Sequence, residues 1–210
     1  MKVTFKIWRQ ENRNTKGAIK EYKVDGLTED MSFLEALDHL NESLVLKNEK
    51  VIAYEYDCRE GICGQCGVFI NGRAHGPHDN ITTCQLHMRS FEDGDTIVVE
   101  PWRAASFPVL KDLIVDRSAF DRIMEQGGYI TAKTGTAPEA NAILVPKEVS
   151  DSAMDPEAHK RVQEMTYQME LEGFGSCSFT GACEVECPEG ISITNIAEMY
   201  AKYTKAKLFG

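Results

Sequence analysis

The chain has 210 residues and a formal net charge of −10, from 33 acidic and 23 basic side chains. This balance, without a cluster of Lys or Arg, argues against a nucleic-acid-binding protein. The length allows one large or two small domains. Polar and apolar residues alternate from the N-terminus, and no apolar run approaches the length of a membrane span. We therefore expect neither a signal peptide nor a transmembrane helix.

The first part of the chain alternates strand patterns with turn signals. Residues 3–7 and 19–24 have the alternation of half-buried strands, and the polar stretch 12–17 between them indicates a hairpin. Ser32 and Glu35 form a capping-box pattern. It precedes apolar residues at helical spacing: Leu34, Leu37, Leu40 and Leu44. We expect this helix to cover the sheet.

Two further strand signals complete this part. Val68 and Ile70 alternate before Asn71-Gly72, a strong hairpin signal. Residues 96–100 then form a last strand. Strands, one covering helix and a cysteine loop predict a small β-grasp-like domain, whose limits we place at residues 1–104.

The second part has helical patterns. Residues 110–124 indicate one helix or two short ones, with Ser118 as a candidate cap. Residues 131–155 lack a period and are rich in Ala, Pro, Thr and Ser, which indicates an extended linker. Pro156 lies in the first turn of a further helix, and a last helix covers about 192–208. The predicted fold class is α+β, a β-grasp domain followed by a mostly α-helical one.

Four cysteines in the first domain carry the strongest chemical signal. Cys58, Cys63 and Cys66 have the spacing C-x4-C-x2-C, and Cys84 follows, as in plant-type [2Fe–2S] ferredoxins. Two irons bridged by two sulfides need four thiolates. Disulfides or a zinc knuckle are the alternatives, but zinc sites usually pair two short hooks, whereas here three thiols share one loop. The loop contains glycines that allow close approach to a cluster: Gly61, Gly64 and Gly67.

A second group comprises Cys177, Cys183 and Cys187, with Pro188 directly after the last. A Cys-Pro that ends a cysteine run is typical of bacterial ferredoxins, where that cysteine ligates a different cluster from its neighbours. Three thiolates are too few for a [4Fe–4S] cluster. Three alternatives stay open: thiols without a metal, ligands completed from outside this sequence, or a three-thiolate [3Fe–4S] site.

The remaining chemistry-bearing residues give weaker signals. His75 and His78 lie in a loop rich in Gly, Asn and Asp, and are predicted to be solvated. We find no nucleophile–base arrangement, phosphate-binding loop or flavin fingerprint. No catalytic residue is therefore expected in this chain.

Taken together, the two cysteine groups resemble those of the iron–sulfur subunit of succinate dehydrogenase/fumarate reductase (succinate:quinone oxidoreductase). The segment Lys111-Asp-Leu-Ile-Val-Asp116 is similar to the start of that family's helical domain, which would place it at residues 105–210. By this resemblance Cys177 and Cys183 would serve a [3Fe–4S] cluster and Cys187 a [4Fe–4S] cluster.

One departure from the family is large. Its members carry a C-x2-C-x2-C-x3-C block between the two groups, but residues 85–176 of this chain contain no cysteine. The sequence has the appearance of a deletion between Asp155 and Pro156. The ligand sets of the [3Fe–4S] and [4Fe–4S] clusters are then incomplete, and by the same resemblance a part of the quinone pocket is missing.

The resemblance implies an electron-transfer subunit. Its expected partners are an FAD-containing flavoprotein and a membrane-anchor cytochrome b subunit that holds the quinone. The expected location is peripheral, on the cytoplasmic face of the inner (cytoplasmic) membrane. The alternative is a stand-alone [2Fe–2S] ferredoxin-like carrier or a non-functional truncated subunit. The direction of the reaction does not follow from the sequence.

Overall fold

The computed structural model describes residues 1–102, 104–127, 147–174 and 177–209, with 147–158 and 209 described by backbone alone. Contacts divide the chain into two compact units. The first combines Met1–Asp116 with Phe179–Ser192, and the second combines Arg117–Ser178 with Ile193–Gly210. The predicted division into domains at residues 104 and 105 stays a prediction, because these units are defined by contacts alone.

The first unit contains a five-stranded sheet with the order β2-β1-β5-β3-β4. Its strands are β1 Val3–Arg9, β2 Ala18–Val24, β3 Phe69–Ile70, β4 Arg73–Ala74 and β5 Thr96–Glu100. β1 pairs antiparallel with β2 and parallel with β5, and β5 pairs antiparallel with β3. The first and last long strands therefore lie side by side, as in a β-grasp fold.

Local sequence explains the tight β3–β4 hairpin. Asn71 and Gly72 both have positive φ, at 51° and 80°. A type I′ turn needs this conformation at its two central residues, and Asn-Gly adopts it at low cost. The Asn71 side chain also accepts a hydrogen bond from the Val98 N–H at 2.8 Å, which ties the hairpin to β5.

Helix α1, Phe33–Leu46, covers one face of this sheet, as predicted. Ser32 Oγ accepts from the Glu35 N–H, and the Glu35 carboxylate accepts from the Ser32 N–H, so the capping box is formed. Phe5 and Phe33 meet edge to face with ring centroids 5.7 Å apart. The helix buries one stripe of side chains: Phe33, Leu34, Ala36, Leu37, Leu40 and Leu44.

The prediction for residues 110–124 was right about one helix but wrong about where it begins, and the predicted cap at Ser118 was wrong. The stretch begins with a two-stranded hairpin, β6 Val109–Lys111 and β7 Ile114–Val115, and only then enters helix α2, Ser118–Glu125. The β-branched residues of β7 favour a strand, and Asp112 takes a positive φ of 46° at the turn. Ser118 is the first helical residue, and the cap position belongs to Arg117.

The second unit is built mainly from α2, α3 Lys147–Leu171 and α5 Thr194–Phe209, while the short α4 Ala182–Glu186 belongs to the first unit. The prediction that a linker extends to Asp155 was wrong, because α3 begins at Lys147. The segment from Lys147 to Asp155 has no glycine or proline that would break a helix. Pro156 lies inside α3, so the prediction that it stands in the first turn of this helix was wrong as well. Residues 131–146 of the predicted linker lie outside the described residues.

In the described part of the chain, no helix combines the length and the apolar character needed to cross a membrane. The α+β fold class is confirmed, with the sheet in the N-terminal part and helices later.

Candidate iron–sulfur site

The four cysteines of the first group all lie in the first unit, where they differ in exposure. Cys63 is exposed and Cys58 is half-buried, whereas Cys66 and Cys84 are buried. Cys66 lies just before β3. Cys84 lies in a segment that is hydrogen-bonded to the N-terminus of α1, because the Phe33 N–H donates to the Leu86 carbonyl at 2.6 Å. The sheet and α1 therefore hold the two buried thiols on a fixed scaffold.

The backbone of the cysteine loop points three donors at Cys58. The N–H groups of Glu60, Ile62 and Cys63 lie 3.3, 3.4 and 3.4 Å from the Cys58 sulfur. These three hydrogen bonds, together with one from the Cys63 side chain, lower the pKa of the Cys58 thiol to about 7. Positive φ values at Arg59 (56°) and at Gly61 (77°) give the loop this curvature. The loop favours a thiolate at Cys58.

Cys66 and Cys84 form the second pair. Burial raises the pKa of the Cys66 thiol to about 11, and its contact with the Cys84 thiol acts in the same direction. The Thr82 hydroxyl lies 3.1 Å from the Cys84 sulfur. Thr83 Oγ1 is buried and has no hydrogen-bond partner among the described residues. A negatively charged sulfur group at this position would give that hydroxyl an acceptor.

This pairing fits a [2Fe–2S] cluster. Among the described residues, no three His, Cys, Asp or Glu side chains come together at one point that could hold a single ion. A binuclear cluster makes a different demand, because each iron takes two protein thiolates and shares two sulfides. The structure has two thiol pairs, one for each iron: Cys58 with Cys63, and Cys66 with Cys84.

Two glycines are required by close packing around the loop. A Cβ on Gly67 would come within 2.5 Å of the Trp102 ring, and a Cβ on Gly61 within 2.5 Å of the Gln85 side chain. Gln85 Nε2 also donates to the Glu60 carbonyl at 3.2 Å, so the residue after Cys84 is bonded to the loop that holds Cys58. The prediction that these glycines allow close approach to a cluster stays a prediction.

The second cysteine group is divided between the two units. Cys177 belongs to the second unit, whereas Cys183 lies in α4 and Cys187 caps it within the first unit. Arg73, in β4, donates from Nε to both oxygens of Glu186 at 3.0 and 3.2 Å, and so holds α4 on the first unit. The proposed roles of these three cysteines stay predictions.

The prediction for His75 was wrong. It was predicted to be solvated, but its Nδ1 is buried without a partner among the described residues, and burial lowers its pKa. The loop folds back so that His75 lies against Gly67 and Trp102. His78 is exposed, as predicted, and its Nε2 lies 2.9 Å from Ser90 Oγ.

Sequence reasoning missed Asp38, which is on α1 and binds the cysteine loop through Arg59. Asp38 Oδ2 accepts from Arg59 Nη1 at 2.6 Å, and Oδ1 accepts from Nη2 at 3.2 Å. No sequence motif joins two residues that lie 21 positions apart on different elements. The sequence indicated this contact only through the position of Arg59, a charged residue inside the C-x4-C loop.

A β-grasp domain with paired thiols in a glycine-rich loop defines the class of [2Fe–2S] ferredoxin domains. Residues 4–122 match the model of the 2Fe-2S iron-sulfur cluster binding domain (Fer2_3). Since this match covers more than half of the chain, the chain belongs to that family. A [2Fe–2S] cluster as cofactor is thereby confirmed for the domain.

The relatives agree with the resemblance predicted from the cysteine motifs. The chain is 25% identical over 173 residues to the fumarate reductase iron–sulfur subunit of Escherichia coli, covering 82% of this chain and 56% of that subunit. It is 28% identical over 190 residues to the mitochondrial succinate dehydrogenase [ubiquinone] iron–sulfur subunit 1 of Oryza sativa, covering 88% and 56%. It is also 31% identical over 153 residues to an uncharacterized iron–sulfur protein of Methanocaldococcus jannaschii, covering 72% and 26%.

The chain thus spans about half the length of the two named subunits and about a quarter of the archaeal protein. Among solved structures, a chain of the Mycobacterium smegmatis Sdh1 complex in the apo form matches with a TM-score of 0.64. The match has 20% identity and covers 100% of this chain and 98% of the other. At that identity it shows the fold alone. The α+β fold and the resemblance to these iron–sulfur subunits are both confirmed.

Proposed function

We propose that this chain is an electron-transfer subunit of a succinate dehydrogenase/fumarate reductase, with a [2Fe–2S] cluster on Cys58, Cys63, Cys66 and Cys84. One observation carries the proposal: there are two thiol pairs, Cys58 with Cys63 partly exposed and Cys66 with Cys84 buried, and three backbone N–H groups are directed at Cys58. When bound, the cluster would supply one-electron redox chemistry. The relatives' names support the assignment to this enzyme.

The chain's own residues would position the cluster and set its potential. Backbone N–H groups around Cys58 stabilise negative charge on sulfur, which favours the reduced state. Burial of Cys66 and Cys84 excludes water from one side, while the exposed Cys63 leaves the other side open to a redox partner. No side chain in this site is proposed to act as an acid, base or nucleophile.

The partners follow from the same proposal. The flavoprotein would dock at the rim of the loop, where Ile62 is 70% exposed beside Cys63. A membrane-anchor cytochrome b subunit would hold the chain on the cytoplasmic face of the inner membrane and bind the quinone. We further propose that electron transfer to quinone is not completed by this sequence. The [3Fe–4S] and [4Fe–4S] clusters would need more thiolates than Cys177, Cys183 and Cys187 supply.

Metal analysis with matched variants tests the cluster. The purified protein should contain about two irons and two acid-labile sulfides per chain, and give the EPR signal of a [2Fe–2S] cluster when reduced. Cys63→Ala should lose that signal, because one iron loses a ligand. Cys183→Ala is the control, since Cys183 is a similarly exposed thiol outside the loop. A full signal in Cys63→Ala, or its loss in Cys183→Ala, would refute this ligand set.

Co-purification separates the subunit from the alternative, a stand-alone ferredoxin-like carrier. A subunit should retain a covalently flavinylated partner through purification, whereas a carrier should not. Ile62→Asp should weaken that capture by placing a charge at the proposed interface. Leu46→Asp is the control, because Leu46 is 88% exposed at the end of α1 and is not part of the loop. Equal loss in both variants would argue against docking at the loop.

A further inference from the structure

Arg59, in the cysteine loop, has side-chain contacts on two sides. Its guanidinium makes a bidentate pair with Asp38 of α1, at 2.6 and 3.2 Å. It also stacks over the Tyr56 ring, with 4.3 Å from the guanidinium carbon to the ring centroid. The loop residue is thus bound to a helix on one side and to an aromatic ring on the other.

Asp38 is itself fixed by a third group. The Tyr54 hydroxyl donates to Asp38 Oδ1, the same oxygen that accepts from Arg59 Nη2. Burial alone would raise the pKa of the Asp38 carboxyl, but the hydrogen bonds from Arg59 and Tyr54 outweigh it and lower the pKa. Asp38 is therefore a carboxylate at neutral pH, as a bidentate pair with arginine requires.

The backbone of Arg59 explains why such a pair is needed. Its φ of 56° lies in the left-handed region, which is unfavourable for a residue with a Cβ. Arg59 directly follows Cys58, and this conformation turns the chain so that the N–H groups of Glu60 and Ile62 face the Cys58 sulfur. If the side chain were free, the backbone of Arg59 would favour other conformations.

Two other ion pairs of the first unit lack this combination of features. Lys20–Glu49 and Lys50–Glu11 are single contacts with both side chains more than 40% exposed, and such pairs contribute little. The Arg59–Asp38 pair is about one third exposed on each side, is bidentate, and has an aromatic ring beneath it. These features make it a pair of defined geometry.

We infer that Asp38, Arg59 and Tyr56 form a clamp that holds the left-handed turn after Cys58 and so keeps the backbone donors on the Cys58 sulfur. This inference depends on the proposed function, because the donors matter only if Cys58 carries a cluster. Asp38 and Arg59 are positioning residues: they act on the cluster through the backbone. Their loss lowers the number of N–H groups that stabilise the reduced state and shifts the potential to more negative values.

The test compares four variants of the full-length, cluster-loaded protein. Asp38→Ala removes the partner, Arg59→Ala removes the guanidinium while its Cβ still disfavours positive φ, and Arg59→Lys keeps the charge without the bidentate geometry. Glu42→Gln is the control, an exposed acid on α1 one turn after Asp38. The readouts are amide hydrogen exchange at Glu60, Ile62 and Cys63, and the midpoint potential from an EPR redox titration.

The clamp predicts faster exchange of these three amides, roughly five- to thirtyfold, in Asp38→Ala and Arg59→Ala, with a more negative potential in both. Arg59→Lys should fall between these variants and the wild type, and Glu42→Gln should match the wild type. Unchanged exchange and potential in Asp38→Ala and Arg59→Ala would overturn the clamp. Absence of a [2Fe–2S] signal in the unmodified protein would instead overturn the proposed function. The two failures are therefore distinguishable.

Discussion

Asp112 and Arg9 form a buried ion pair that links two distant parts of the first unit. Asp112 Oδ1 accepts from Arg9 Nε at 3.0 Å and from the Gln10 N–H at 2.9 Å, while Oδ2 accepts from the Ala53 N–H at 3.0 Å. The Asp112 side chain is only 3% exposed. The β6–β7 hairpin is therefore joined both to the end of β1 and to the segment that leads into the cysteine loop.

Removing this carboxylate should destabilise the first unit strongly. In Asp112→Ala, Arg9 Nε and two part-buried backbone N–H groups lose their acceptor, which costs about 3–5 kcal/mol of unfolding free energy. Urea unfolding followed by circular dichroism measures this loss. Glu49→Ala is the control, because its pair with Lys20 is 45% and 56% exposed and such a pair contributes about 0–1 kcal/mol. A small loss in Asp112→Ala would mean that the pair is not formed in solution.

The capping box of α1 gives a second prediction. Ser32→Ala should lower the free energy of unfolding by about 0.5–2 kcal/mol, because the Glu35 N–H loses its acceptor. Ser43 offers a matched control on the same helix, since its hydroxyl only donates back to the Leu40 carbonyl at 2.8 Å. Such a contact adds little to helix stability, so Ser43→Ala should be close to neutral. Thermal or urea unfolding compares the two, and equal losses would contradict the capping role.

His75 should make stability depend on pH below neutrality. Burial lowers its pKa below the ordinary value of 6.5, although nearby Glu186 acts in the opposite direction. The unfolded chain therefore binds a proton at a higher pH than the folded chain does. The stabilising contribution of neutral His75 is present above pH 6.5 and is lost as the pH falls below that value.

The matching experiment compares unfolding at pH 7.5 and pH 5.5 in the wild type and in His75→Asn. Asparagine tolerates the positive φ of 61° at this position and does not titrate. The wild type should lose more stability than the variant over this interval. If both lose the same amount, His75 is accessible to protons in the folded protein.

Arg73 should control the exposure of the α4 segment. Besides Glu186, it binds the Pro77 carbonyl at 2.9 Å and the Asp79 carboxylate. Arg73→Ala should therefore release Phe179–Ser192 from the first unit and raise the alkylation rate of Cys187, which is half-buried, roughly two- to fivefold. Peptide mapping after timed alkylation measures each cysteine separately.

Two controls make this experiment specific. Arg122→Ala breaks a comparable pair, with Glu172 at 2.6 Å, that lies within the second unit, and it should leave Cys187 unchanged. The charge exchange Arg73→Glu with Glu186→Arg should restore part of the protection. If Cys187 reacts at the same rate in all of these proteins, then Arg73 does not hold the segment.

The elements that were predicted well are those governed by local signals. The alternation in β1 and β2, the Asn71-Gly72 turn and the Ser32–Glu35 box each act over a few residues, and each appears where the sequence indicated. That the first four cysteines form one ligand set stays a prediction, and its signal in the sequence is the spacing of three of them within one loop.

The features that could not be predicted depend on contacts between residues distant in the sequence, or on a pattern that fits two kinds of element. Nothing near Asp112 in the sequence shows that it binds Arg9, and nothing near Asp38 shows that it binds Arg59. The return of Phe179–Ser192 to the first unit is a contact between distant segments and was equally hidden. The segment at 110–115 was misjudged because short apolar runs suit a strand and a helix alike.

Helix α3 passes through Asp155 and Pro156 without a break, which makes this stretch sensitive to changes in length. Each residue added within a helix rotates everything beyond it by about 100° around the axis. Gln163, whose amide donates to the Ala206 carbonyl of α5 at 2.7 Å, would leave its partner after an addition of one or two residues. A cysteine block restored at this point would keep that contact only if it left the helix as a loop and returned at the same angular position.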